Sequence, residues 1–298
     1  MTRTQDHIRT AFADAAVTGW LHACDIDSGA EVGFHPDHPV VTASVHKLCL
    51  LVALHQRAAQ GDFDLTEQIE VPPTGRTFGL TGLGAMLDPA RVSLRDAAYL
   101  MMSVSDNIAA DLLLERVGLD AVNRTTTQLG LSHTLAVHTF RQLLDTIKKD
   151  AGPSGTRALS DPHTITRLTA LDPARTNHST PRDMTRLLSC IWRDEAGTPD
   201  HGAAIRRLLG LQVWPHRLAS GFPFDDVHVA GKTGSLPTLR NEVGVVEYPD
   251  GGRYAVAVFT RAANTAATLP AADAVIGTTA RIAVDALRAP RTRRRSGT

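Results

Sequence analysis

The chain has 298 residues, 43% hydrophobic and 21% charged, enough to bury a substantial core as one large domain or two interlocked ones, which argues against a disordered chain. Its 31 basic residues balance 31 acidic ones at a pI near 7.2, so no broad cationic field is present to attract nucleic acid or anionic lipid. Cys24, Cys49 and Cys190 contain no C-x-x-C pair and read as free thiols rather than a disulfide frame or a zinc site.

The first twenty residues lack the apolar core of a signal peptide, because Asp6, His7, Arg9 and Asp14 interrupt them, and no segment approaches the ~20 apolar residues of a membrane span. The expectation is a cytoplasmic protein with no membrane partner.

Residues 4–16 have helical periodicity, and the strands "GWLHACDI" and "AEVGFH" follow, joined by the turn signal Asp27-Ser28-Gly29. From Ser44 to Gln60 the chain is apolar on nearly every side and stops at Gly61, the pattern of a helix buried within a domain. Ser93 and Asp96 resemble a capping box that opens one helix, and "NIAADLLLERV", closed by Gly118, is another; between them lies the break "SVSDN". Thr180-Pro181-Arg182-Asp183 combines a capping hydroxyl, a first-turn proline and an acid, which predicts a helix from Pro181 to Glu195.

Near the end, "DVHVAGKTG" reads as a strand, "NEVGVVEY" and "RYAVAVFT" as a hairpin about Pro249–Gly252, and residues 271–288 as a closing helix. Strands at both ends with helices between them predict an α/β (α+β) protein. Its sheet domain would be built from residues 1–42 and 218–290, an all-helical domain would span 43–217, and the basic run 291–298 would form a solvated, disordered tail.

Only four of the basic residues are lysines: Lys47, Lys148, Lys149 and Lys232. A guanidinium keeps its proton in proteins, whereas a desolvated ammonium can lose it, so a lysine in an arginine-rich chain marks a place where arginine does not serve. Lys47 follows Ser44 at i+3 on one helix face, where an amine of lowered pKa can act as base for a hydroxyl that is otherwise a poor nucleophile. A first-turn serine also meets backbone N–H groups and the positive end of the helix dipole. By itself the pair also fits a helix cap beside an outward-reaching lysine. Ser105-Asp106-Asn107, in the interhelical break, supplies a hydroxyl and an amide; Lys232-Thr233-Gly234, at a strand end, supplies a cation, a hydroxyl and a glycine that permits close approach. Each reads alone as a cap or a turn, and their joint occurrence in order is what chance does not give.

The three motifs, with "VTASVHKLCLLVAL", "HSTPRDMTRLL" and "AGKTGSLPTLRNEVGVVEYP", resemble the corresponding blocks of the class A serine β-lactamase and penicillin-binding-protein superfamily. The resemblance covers about residues 15–288 and implies an antiparallel sheet flanked by helices, with no metal or organic cofactor. It implies Ser44 as acylated nucleophile, Lys47 as its base, Ser105 as proton shuttle and Asn107 as a substrate-amide contact. Lys232 and Thr233 would tune Ser105 and hold a substrate carboxylate, and the N–H groups of Ser44 and Ser235 would form an oxyanion hole beside Gly234. Arg240 either adds a carboxylate contact or is a surface arginine.

One element of the pattern is missing. Class A enzymes keep a glutamate in the loop before the Thr-Pro helix, where it activates the water that clears the acyl group, yet no glutamate occurs between Glu115 and Glu195. Asp161, His163, Asp172 and His178 are the alternative bases in that segment. The resemblance therefore implies a hydrolase acting on a small molecule with a lactam, amide or ester carbonyl through acyl-Ser44. The alternatives are an intracellular acyltransferase or cyclase, a DD-peptidase-like enzyme, and a non-catalytic binding or sensing module.

Overall fold

Thr2 starts the first helix: its hydroxyl accepts from the Gln5 amide while the Gln5 side chain accepts from the Thr2 amide, satisfying donors that a helix start leaves free. The computed structural model, which describes residues 2–76 and 79–289, places this helix, α1, at Arg3–Asp14. The tail expected at 291–298 lies outside the described residues. The predicted hairpin follows as β1 (Val17–Asp25) and β2 (Glu31–Phe34), its turn held by the Asp25 carboxylate accepting from the Asp27 and Ser28 amides.

After the short strand β3 (Val40–Val41), the helix expected from Ser44 divides: a 3-10 turn covers Ala43–His46, and α2 runs from Lys47 to Ala59. A ribbon of β4 (Gln68–Val71) and β5 (Ala90–Ser93) leads into α3 (Leu94–Ser103). Its capping box is half formed: Ser93 Oγ accepts from the Asp96 amide, but the Asp96 carboxylate accepts from the Ser93 hydroxyl.

Asp106 caps α4 (Asn107–Val117), and α5 (Leu119–Gln128) and α6 (Phe140–Ala151) follow. Beyond them lie α7 (Pro162–Arg167), β6 (His178–Ser179), which pairs with β3, then α8 (Pro181–Trp192) and α9 (Pro199–Gly210). As expected, Thr180 caps α8, accepting from the Asp183 amide; the helix ends before the predicted Glu195 because the Glu195 amide turns back to the Cys190 carbonyl.

The chain closes with β7 (His228–Leu236), β8 (Leu239–Glu247), β9 (Arg253–Ala262) and α10 (Pro270–Arg288). The main sheet is antiparallel in the order β2-β1-β9-β8-β7, so the first and last long strands meet at its centre, Leu21 opposite Val258. One face packs on α1 and α10 through Ile8, Phe12, Leu21, Val256 and Ile276. Val245, Ala257 and Phe259 belong to a second apolar cluster that runs into α2 and the helices around it. Within α2, Leu48 to Leu54 are at most 1% exposed, and each large side chain so buried contributes about 1.5–3 kcal/mol. No helix among the described residues is long and apolar enough to cross a membrane.

His46, in the 3-10 turn, is buried, and neither ring nitrogen has a hydrogen-bond partner among the described residues. Burial first, then the nearby His178 and His138, push it from the usual 6.5 down to about 4. A depressed histidine is neutral in the folded chain while the unfolded chain already binds a proton, so its contribution to stability is complete above pH 6.5 and is lost as pH falls toward 4. His46→Phe is expected to flatten the fall in stability over that interval. Urea unfolding at pH 7 and pH 5 measures it, and an unchanged pH slope would contradict a neutral, buried His46.

Candidate active site

Ala43 has a left-handed backbone, φ 50°, a conformation costly outside glycine that turns the chain sharply into the 3-10 segment. With three residues per turn, Ser44 and Lys47 stack on one line. Ser44, half-buried, lines a cleft of about 700 Å3, and Lys47 is fully buried beneath it.

Lys47 Nζ donates to the Ser105 carbonyl (2.7 Å), the Asn107 Oδ1 (2.7 Å) and more distantly the Ser105 Oγ (3.3 Å). The anticipated Lys47–Ser44 hydrogen bond is not among these. Ser105 presents both oxygens because it too is left-handed, φ 58°. The buried Asp106 carboxylate fixes this corner by accepting from the Ile108 (2.8 Å), Ala109 (3.2 Å) and Leu83 (2.6 Å) amides.

From the opposite wall, Lys232 Nζ on β7 donates to the same Ser105 Oγ at 3.0 Å and to the Thr233 carbonyl at 2.9 Å. Burial holds the Lys47 amine down from 10.5 to about 7, with the more distant Asp106 and Asp111 opposing. Lys232 lies well below its ordinary range, through burial and then the neighbouring Lys47 charge. Close packing of β7 on the Ser44 turn requires Gly234, where a Cβ would stand 2.7 Å from the Thr42 carbonyl and 3.1 Å from Val45 atoms. The Thr233 N–H leaves β8 and donates to Gln212 Oε1 at 2.7 Å. Because strands repeat every two residues, the Ser235 N–H leaves the same free edge.

Ser44, Ser105, Asn107, Thr233, Ser235 and Arg240 thus line one cleft, with Lys47, Lys232 and Gly234 directly behind its surface. The profile of the beta-lactamase enzyme family, Beta-lactamase2, matches residues 3–287. The chain belongs to that family.

It is similar to the beta-lactamase regulatory protein BlaB of Streptomyces cacaoi, 36% identical over 94% of this chain and 96% of that one. A β-lactamase structure from Sphaerobacter thermophilus superposes with a TM-score of 0.77 at 26% identity, covering 94% of this chain and 97% of that one. The same score relates the chain, at 21% identity and 97% coverage of both, to a mutant of PBP-A captured as an acyl-enzyme with penicillin G, a likeness of fold alone.

Several features of this family member escape sequence reading. Arg217 is 5% exposed; it donates to the Gly234 (3.1 Å) and Asn241 (3.0 Å) carbonyls, Ser235 Oγ (2.7 Å) and Asp273 Oδ1 (2.7 Å). Its loop segment "WPHRLASG" has no periodicity to single it out. Arg240 is a cleft residue rather than a surface one, but its guanidinium already donates to the Leu236, Leu239 and Ala267 carbonyls.

None of the four alternative bases reaches the cleft. Asp161 caps α7, His163 is exposed beside it, Asp172 accepts from the Ala174 amide, and His178 Nδ1 meets the Thr176 carbonyl. Instead α6 turns Phe140 and Leu144 inward: the buried Phe140 ring centroid lies 4.6 Å from Lys47 Nζ, and Leu144 lines the cleft.

Gly234→Ala is expected to force β7 off the Ser44 turn and cost about 1–3 kcal/mol, as overpacking does. Chemical denaturation measures it; full stability would show that the turn and the strand are not in tight contact.

Proposed function

We propose that this protein is an active-site-serine acyl-transfer enzyme that accepts a lactam, amide or ester carbonyl, most readily a β-lactam, and forms a covalent acyl-Ser44. The supporting observation is the fully buried Lys47, held down to about 7 and bonded to Ser105 and Asn107 in a cleft that Ser44 shares. Near pH 7 such an amine is neutral part of the time and can take a proton.

As substrate enters and the site tightens, Ser44 Oγ attacks the carbonyl carbon and its proton passes to Lys47. The N–H groups of Ser44 and Ser235 face the oxyanion. When the C–N bond breaks, the leaving nitrogen takes the Ser105 hydroxyl proton, and Lys47 returns one to Ser105. Thr233, with Arg217 and Lys232 behind it, suits a substrate carboxylate.

A sensing role is the second reading, and Phe140 favours it. The ring occupies the side of Lys47 from which a loop carboxylate would activate water, so an acyl-Ser44 would meet no such carboxylate there and would persist. BlaB, named as a regulatory protein, points the same way.

Incubation with a reactive β-lactam followed by intact mass measurement tests acylation. The expected result is one adduct per chain, absent from Ser44→Ala, at a rate that rises through about pH 7 as Lys47 loses its proton. No adduct with any β-lactam or activated ester would overturn the reading. Phe140→Glu should place a carboxylate beside Lys47 and speed loss of the adduct at least about tenfold, worth about 1.4 kcal/mol. An adduct that decays no faster would locate the block to hydrolysis elsewhere.

A further inference from the structure

Away from the cleft, a cavity of about 540 Å3 lies between α2, α3 and α9 and shares none of the cleft's lining residues. Its floor is buried: Leu54, Ala98 and Leu208 supply apolar surface, and beside them stands His55, 5% exposed. A histidine this deep needs partners for its ring nitrogens, because a buried polar group left unpaired is costly. The His55 Nδ1 has one, the Nδ1 of His201 on α9 at 2.8 Å. The Nε2 is the nitrogen left for the cavity that the residue lines.

Burial, then His201, pushes His55 down to about 4, so the ring is neutral at pH 7. The two Nδ1 atoms share one hydrogen. If His201 donates it, His55 Nε2 carries a proton toward the cavity; if His55 donates it, Nε2 offers a lone pair instead. A hydroxyl suits either form, since it both donates and accepts.

The rim is charged and aromatic. Arg95 on α3 and Arg207 on α9 are exposed, and neither side chain makes a hydrogen bond or an ion pair among the described residues, whereas the adjacent Arg206 donates to Asp194 Oδ1 at 2.6 Å. The acids about Arg95 are occupied: the Asp96 carboxylate accepts from the Ser93 hydroxyl, and Asp64 Oδ1 from the Thr66 amide. Tyr99, 41% exposed, sets its ring one helical turn from Arg95. The wall contains no serine, cysteine or lysine, so a molecule held there is bound rather than acylated.

We propose that this cavity is a second ligand site, for an effector rather than a substrate: a hydroxyaryl carboxylate whose carboxylate lies against Arg95 and Arg207 at the rim while its ring covers the apolar floor and its hydroxyl meets His55 Nε2. Guanidinium groups match the two oxygens of a carboxylate, and an apolar floor with a few convergent polar groups is the usual form of a small-molecule site. Both helices that clasp the ligand run on to the cleft. The Val213 N–H, one residue after Gln212, donates to the Ser103 carbonyl at 3.1 Å, two residues before Ser105. The site stands whether or not Ser44 is acylated.

Fluorescence titration with 6-hydroxy-2-naphthoate tests it. The expected result is one saturable site per chain, weakened at least about tenfold by Arg207→Ala or Arg95→Ala and unchanged by Thr233→Val in the cleft. In the wild type 2-naphthol, without the carboxylate, and 2-naphthoate, without the hydroxyl, should each bind at least about fivefold more weakly. No saturable binding overturns the proposal, and so does binding that is lost in Thr233→Val and kept in the arginine variants, which would seat the ligand in the acylation cleft. His55→Phe should erase the preference for the hydroxynaphthoate over 2-naphthoate, and a preference that survives overturns the inner contact. Should His55→Phe not fold, the nitrogen-15 resonance of His55 Nε2 in the wild type gives the same decision: it must shift with the hydroxynaphthoate and hold still with 2-naphthoate.

Discussion

Two primary amines, Lys47 and Lys232, approach a single hydroxyl, Ser105 Oγ, from opposite walls, and both are fully buried. Burial favours the neutral form of each amine, and at Lys232 the neighbouring Lys47 charge adds to it. The rest of the site maintains this proximity. Asp106 holds the left-handed corner that brings Ser105 between the amines, while the apolar length of α2 keeps Lys47 from reaching solvent. An arginine at either position would stay charged and would need a flat, bidentate acceptor that a lone hydroxyl does not offer.

The cleft combines a tightly packed floor with a more open rim. The Ser44 turn and β7 are locked together by backbone contact at Gly234, which leaves the side chains they carry little freedom. Around them stand Leu80 and Trp214, both exposed at the cleft, and the inward side of α6. On that side the Phe140 ring lies against the Lys47 amine.

The parts of the fold visible in the sequence are those that short-range rules specify. Thr180-Pro181 opens α8, Gly118 ends α4, and the turn residues between β8 and β9 sit where a hairpin needs them. The serine and lysine spacing was legible as a shared face because the 3-10 turn, like the expected helix, stacks residues three apart. What could not be read depends on contacts between distant segments. Lys47 bonds Ser105 and Asn107 rather than Ser44 because α4 brings them closer than its own helix does. Phe140 looks like any core aromatic until α6 is placed, and Arg217 like any loop arginine. Glu242 stands as a lone acid in the run "NEVGVV" of a strand, and its burial is seen only once β8 is placed inside the sheet.

The pairing of β1 with β9 bears on how this molecule comes into being. Val17 meets Ala262 and Asp25 meets Tyr254, so the earliest strand made waits for nearly the last before its central edge is covered. During synthesis the helical middle emerges before β7, β8 and β9, with α2 still lacking most of the sheet face it packs on and the Ser44 turn lacking the strand that closes over it. Such long-range closure is slow and leaves apolar surface open in the meantime. Lys232 therefore joins Lys47 at the Ser105 hydroxyl only once the chain is all but finished.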